Sequence, residues 1–143
     1  MRQKVLLKTE KTHYIFLGLL ALFMAGAVFT LSSCSKEVTD PAQLRGGETR
    51  QTLDPGQFVG AQADAYRIAR EIPQVLDSMH CYCECKKHFG HKSLLTCYVD
   101  EHARNCDACM DEAFMAYDLY KQGKDVLAIR KVIDKHYSGM MNH

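Results

Sequence analysis

The sequence predicts an all-α fold: a small bundle of three to four helices with a cysteine-rich loop, preceded by a signal peptide and a flexible stalk. Three observations carry this. From residue 58 onward, apolar residues recur at three- and four-residue steps in separate stretches, the period of a helix that buries one face. No stretch alternates apolar and polar residues over the length of a strand. Six cysteines fall between residues 81 and 109, between the helical stretches or at their edge.

The elements follow in chain order. Met1 to His13 is polar and basic, with Arg2, Lys4, Lys8 and Lys11 against Glu10 alone. Tyr14 to Leu31 is an almost wholly apolar run of 18 residues. A charged start, an apolar stretch and small residues before a cleavage point make a secretory signal. The run also approaches the minimum length of a spanning helix, but it leads into Leu31-Ser32-Ser33-Cys34. That tetrapeptide resembles the bacterial lipobox, whose Cys receives diacylglycerol before cleavage. The resemblance implies a lipoprotein signal peptide over 1–33, lipidation at Cys34, and an exported protein anchored in the cell membrane by lipid. Ser35, not Asp, follows the modified Cys, which fits sorting to the outer membrane if the cell has two. Each buried methylene contributes about 0.8 kcal/mol, so two or three acyl chains hold the protein in place.

Residues 34–57 hold Pro41, Pro55 and the pair Gly46-Gly47, with few apolar side chains. Such a composition buries too little surface to offset its ordering entropy, and the segment is expected to be a flexible linker. The cysteine-rich helical domain then occupies 58–143. Phe58, Ala61, Ala65, Ile68 and Ile72 lie on one helical face. Pro73 interrupts and suits the first position of a fresh turn running to Met79. A short helix over Ser93 to Val99 is compatible with the pattern. Met110, Phe114, Tyr117 and Lys121, with Ala113 beside them, mark a helix from about Asp107 to Lys121. Asp107, Asp111 and Glu112 are read as serving its start through the helix dipole, and Gly123 as its stop. Val126, Ile129, Ile133 and Tyr137 mark the last helix, from about Asp125.

Charge narrows the function. The chain carries 18 Lys and Arg against 17 Asp and Glu. Setting aside the four basic residues and one acidic residue of 1–33 leaves 14 against 16, a net of −2. Nucleic-acid binding draws most of its affinity from clustered cations, so no nucleic-acid partner is expected.

With Cys34 committed to lipid, Cys81, Cys83, Cys85, Cys97, Cys106 and Cys109 remain. Six exported cysteines admit a disulfide framework of undetermined pairing. Cys81, Cys83 and Cys85 alternate, which puts them on one face of an extended segment. Thiols so placed converge on a common point more readily than they bond to one another. Converging thiolates suit a soft or borderline ion: Cu(I), Zn(II) or a heavier thiophile. Cys106 and Cys109 form a CxxC at a helix start, a spacing shared by metal knuckles and redox pairs. His80, His88, His91 and His102 fall in the same stretch. His91, after Gly90, and His80, beside Cys81, are the imidazoles assigned as candidate ligands. Met110 is assigned to the core and Met140, Met141 and His143 to a frayed tail.

These residues also carry a family resemblance. Ile72-Pro73 leads into His80-Cys81-Tyr82-Cys83-Glu84-Cys85, then Gly90-His91-Lys92-Ser93-Leu94-Leu95, Cys97-Tyr98, Cys106-Asp107-Ala108-Cys109 and Ile133-Asp134-Lys135. The ordered set resembles the bacterial family named for its PCYCGC motif, also called the CYCXC proteins, across about residues 58–137. Here His80 replaces the motif's Pro and Glu84 its Gly, and all three sulfurs are kept. The resemblance implies export and locates the site; some relatives carry selenocysteine in the motif, which fits soft-metal binding or redox work. The leading expectation is a membrane-anchored lipoprotein that binds a soft metal ion through clustered cysteines. A thiol-disulfide oxidoreductase using the CxxC pair is the alternative, although the βαβ context of a thioredoxin-like protein is missing. A disulfide- or zinc-stapled binding module without chemistry is the third reading.

Overall fold

The computed structural model describes residues 38–83 and 85–139. The expected signal peptide over 1–33, the lipidation at Cys34, Glu84 and the tail Met140, Met141 and His143 lie outside the described residues. Within them the fold is helical and no strand is present, as the periodicity predicts.

Helix α1 (Gly60–Glu71) buries Ala65, Tyr66, Ile68 and Ala69. Ile72 ends it, and Pro73 opens the short helix α2 (Pro73–Asp77) at the break expected there. Helix α3 (Cys85–Phe89) is one the periodicity did not show. A 310 segment, Leu94–Tyr98, stands where a short helix was compatible, and every one of its residues is buried. A further 310 turn, Ala103–Asn105, leads into α4 (Asp107–Lys121). Gly123 follows α4 with φ of 79°. Helix α5 (Val126–Ser138) is capped by Asp125, whose carboxylate accepts from the Ala128 amide at 2.8 Å. Among the described residues no helix is long and apolar enough to cross a membrane.

Helix α4 is the centre of the packing, with α1 on one side and α5 on another, while α2 packs on the Leu94–Tyr98 segment. The buried line of α4 is Cys109, Glu112, Ala113 and Ala116. The large residues Met110, Phe114 and Tyr117, expected as its core stripe, are only partly buried on its flank. Small side chains at 113 and 116 suit close packing of α4 against its neighbours, with the bulkier residues on its flank. Tyr66 of α1 stacks on Phe58 (ring centroids 4.1 Å) and meets Tyr98 edge-on at 5.1 Å. Its hydroxyl donates to the Asp100 carbonyl at 2.6 Å, which satisfies the polar end of a fully buried ring.

Part of the expected linker is docked on this domain. Asp77, fully buried, accepts from Arg45 Nε at 2.8 Å, the Gly47 amide at 3.2 Å, the Glu48 amide at 3.0 Å and the Ser93 hydroxyl at 2.9 Å. Gly46 donates to the Asp77 carbonyl at 2.8 Å. A Cβ on Gly46 would fall 2.7 Å from the Lys92 carbonyl oxygen, so only glycine fits this approach. Leu53 donates to the Tyr98 carbonyl at 2.9 Å. Composition misled here because the segment is held by one buried carboxylate, not by apolar burial of its own.

Candidate metal site

The site assembles from six separate pieces of chain. The loop after α2 supplies Cys81 and Cys83. The first residue of α3 is Cys85. Gly90, with φ of 69°, reverses the chain after α3 and returns it to the buried His91. A positive φ is cheap for glycine and costly for any side chain with a Cβ. The Leu94–Tyr98 segment supplies Cys97, the loop before Ala103 supplies His102, and the first turn of α4 supplies Cys109.

Aromatic residues hold these pieces in register. Tyr82, between Cys81 and Cys83, stacks on Tyr137 of α5 at 4.9 Å, and its hydroxyl donates to Asp134 at 2.5 Å. Arg130 grips the same carboxylate at 2.6 Å and donates to the Ser78 carbonyl at 2.9 Å. The cysteine loop is thereby tied to α5 from both ends. Tyr98, fully buried, donates its hydroxyl to the Cys109 carbonyl at 2.8 Å and so ties the Cys97 segment to α4.

All six described cysteines are free thiols. Cys81 Sγ lies 3.1 Å from Cys83 Sγ and 3.3 Å from Cys97 Sγ. Cys83 Sγ lies 2.7 Å from Cys85 Sγ and 3.3 Å from Cys109 Sγ. These separations exceed the about 2 Å of a disulfide and fall short of the about 3.8 Å between sulfurs around a tetrahedral zinc with bonds of about 2.3 Å. His91 Nδ1 is 3.1 Å from Cys97 Sγ, and His102 Nε2 is 2.8 Å from Cys85 Sγ. The imidazoles pack edge to face at 4.9 Å, and the exposed ring of Phe89 leans on both. Three sets of donors could hold a metal ion: Cys81, Cys85, His91 and Cys97; Cys81, Cys83, Cys97 and Cys109; and Cys83, Cys85 and His102.

So many sulfurs cannot all ionise together in a buried place. Cys83 is held as the readiest thiolate, by hydrogen bonds first from Cys109 and then from Cys81. Burial, followed by its contact with Cys83, pushes Cys85 well up. Contacts with Cys81, Cys83 and Cys97 push Cys109 well up. Burial also lowers His91, with His102 adding to the effect, so its ring is kept neutral and able to donate a lone pair.

Of the residues predicted from sequence, Cys81, Cys83, Cys85, Cys97, Cys109 and His91 come together. Cys106 stands at the rim, half-buried at the start of α4 and outside the three donor sets, with burial raising its thiol. His80 is also outside them: it packs edge-on against Tyr82 at 5.1 Å, and burial and then Arg130 lower its pKa. Two residues escaped the assignment. His102 approaches from 17 residues beyond Cys85, and only its membership of the histidine cluster pointed to it. Glu112, read as a helix-start acid, is buried on the α4 line that carries Cys109, and the Tyr82 amide hydrogen-bonds to it.

The fold and site define a class: a small all-α cysteine-rich protein in which clustered thiols and imidazoles could hold a metal ion. The chain belongs to the family described as "Protein of unknown function with PCYCGC motif", whose model matches residues 56–142. No curated protein matches the chain. No solved structure matches it either.

Proposed function

We propose that this protein binds a soft metal ion, Cu(I), Zn(II) or a heavier thiophile, through its buried thiolates, on the outer side of a membrane to which a lipid on Cys34 tethers it. The observation that carries the reading is the convergence of five sulfurs and two imidazole nitrogens, each set within 4.8 Å of itself. Soft thiolate and borderline imidazole are the donors these ions prefer. The export and anchoring part of this reading rests on the lipobox-like Leu31-Ser32-Ser33-Cys34.

Disulfide exchange is less well served. A redox pair needs one exposed thiol with a lowered pKa, whereas Cys109 is buried and pushed up by its sulfur neighbours and Cys106 is raised by burial. The test is elemental analysis of the full chain, solubilised in detergent and purified anaerobically without chelator, beside a count of free thiols in denaturant. One or more soft ions per chain with the thiols recovered supports metal binding. A protein that stays metal-free when offered excess Zn(II) and Cu(I) sinks it.

A further inference from the structure

The three donor sets are not separate sites but overlap. Cys81 and Cys97 belong to the first and second sets, Cys85 to the first and third, and Cys83 to the second and third. Each of these four sulfurs is therefore shared by two sets. Cys109, His91 and His102 each belong to one set only. A thiolate sulfur has lone pairs enough to bind two cations, while an imidazole nitrogen has one. The sharing thus falls only on donors that are chemically able to bridge.

Charge permits several ions. One divalent ion is balanced by two thiolates with the other thiols protonated, since the five do not all ionise unaided. Three divalent ions on the same five thiolates leave a single positive charge, close to neutrality. A tetrahedral ion would also occupy only four of the seven donors and leave the others unpaired.

Building on the metal-binding reading above, we propose that the site is a trinuclear cluster of soft divalent cations joined by four bridging thiolates. The first ion takes Cys81, Cys85, Cys97 and His91, and the second takes Cys81, Cys83, Cys97 and Cys109. The third takes Cys83, Cys85 and His102, at the half-buried edge where a water can complete its shell. Such a cluster stores several ions per small chain, and the third, with the fewest protein donors, is the one that loads last and leaves first.

The test uses Cd(II), with an NMR-active cadmium isotope, on the full chain reduced in detergent. The expected result is three ions per chain by native mass spectrometry and three cadmium resonances. Cadmium–cadmium coupling should link each resonance to another through the shared sulfurs. His102→Ala should drop the count by one ion and remove one resonance, leaving the other two coupled. His91→Ala should shift only the resonance of the first ion directly. One ion per chain, or three resonances without coupling, overturns the cluster while leaving metal binding intact. Three ions retained by His102→Ala with an unchanged spectrum overturns the assignment of the third corner. No cadmium uptake at all removes the cluster and the metal-binding reading together.

Discussion

Glu112 is a carboxyl with almost no water to solvate its charge. It is 1 % exposed, and its Oε1 has no partner. Burial, and then the negative charge of Cys81, raise its pKa to about 9, against the pull of the Tyr82 amide bonded to it. It is therefore a neutral acid at pH 7 that acts as a hydrogen-bond acceptor for the cysteine loop. Glu112→Gln keeps an acceptor in nearly the same volume, and thermal melts should place it within about 1 kcal/mol of the parent. Glu112→Ala leaves the Tyr82 amide unpaired and should cost about 1–3 kcal/mol, with a matching fall in metal affinity. Glu48 shows the opposite sign. Its hydrogen bond from Arg50 leads the effects that hold its pKa at about 2, against an ordinary value of 4.5. A depressed pKa contributes stability that is complete above the unfolded value and is lost as pH falls toward the folded one. The contribution of Glu48 should thus be intact above pH 4.5 and disappear by about pH 2. Acid titrations of the parent and of Glu48→Gln should diverge at neutral pH and converge at the acid end of that window.

At the scale of elements, what was legible followed the strength of the local signal. The last helix was plain in sequence because Ile129, Ile133 and Tyr137 are large, apolar and buried, with Asp125 as a good cap. Helix α4 was found, but its inward face was assigned to Met110, Phe114 and Tyr117 when the buried line is Cys109, Glu112, Ala113 and Ala116. Hydrophobic periodicity weights bulk, and a close helix contact selects small residues instead. Helix α3 was invisible because only Cys85 of its five residues is buried, so no stripe exists to detect. The sulfur convergence was legible from the alternation of Cys81, Cys83 and Cys85, whereas His102 depended on a tertiary approach no spacing encodes. Two elements give sharp tests. Gly90 turns α3 back toward the cluster at a φ of 69°. Gly90→Ala should cost about 1 kcal/mol or more in stability and weaken metal binding further by displacing His91, as competition with a chelator would show. Asp77→Asn puts an amide donor among the donors of Gly47, Glu48 and Ser93. Arg45 is 42 % exposed and is resolvated by water, so the cost is that of the lost buried hydrogen bonds, about 1–3 kcal/mol. Hydrogen exchange should rise first in residues 45–50 if Asp77 is what docks that segment.

For the whole molecule, the placement of the donor cluster would couple a bound metal to folding. Cys81, Cys85, Cys97 and Cys109 are among the least exposed residues of the core, each at 3 % or below. They join the loop after α2, helix α3, the Leu94–Tyr98 segment and α4, so ions bridging them would cross-link most of the fold at its centre. In a domain this small, the apolar core alone provides little margin. An unfolded chain has no preformed donor set, so the binding free energy of the metal becomes stability of the folded state. At a free metal concentration about a thousand times the dissociation constant, the gain is about 4 kcal/mol. For a domain of this size that corresponds to a rise in Tm of about 15–30 °C. Circular dichroism melts of the reduced full chain, with Zn(II) and with a strong chelator, should show that separation. His102→Ala should reduce the shift, and His80→Ala should leave it unchanged, because His80 lies outside the donor sets. Equal melting with and without metal would mean that the sulfurs are held by packing alone, and that any ion they bind is cargo and not part of the scaffold.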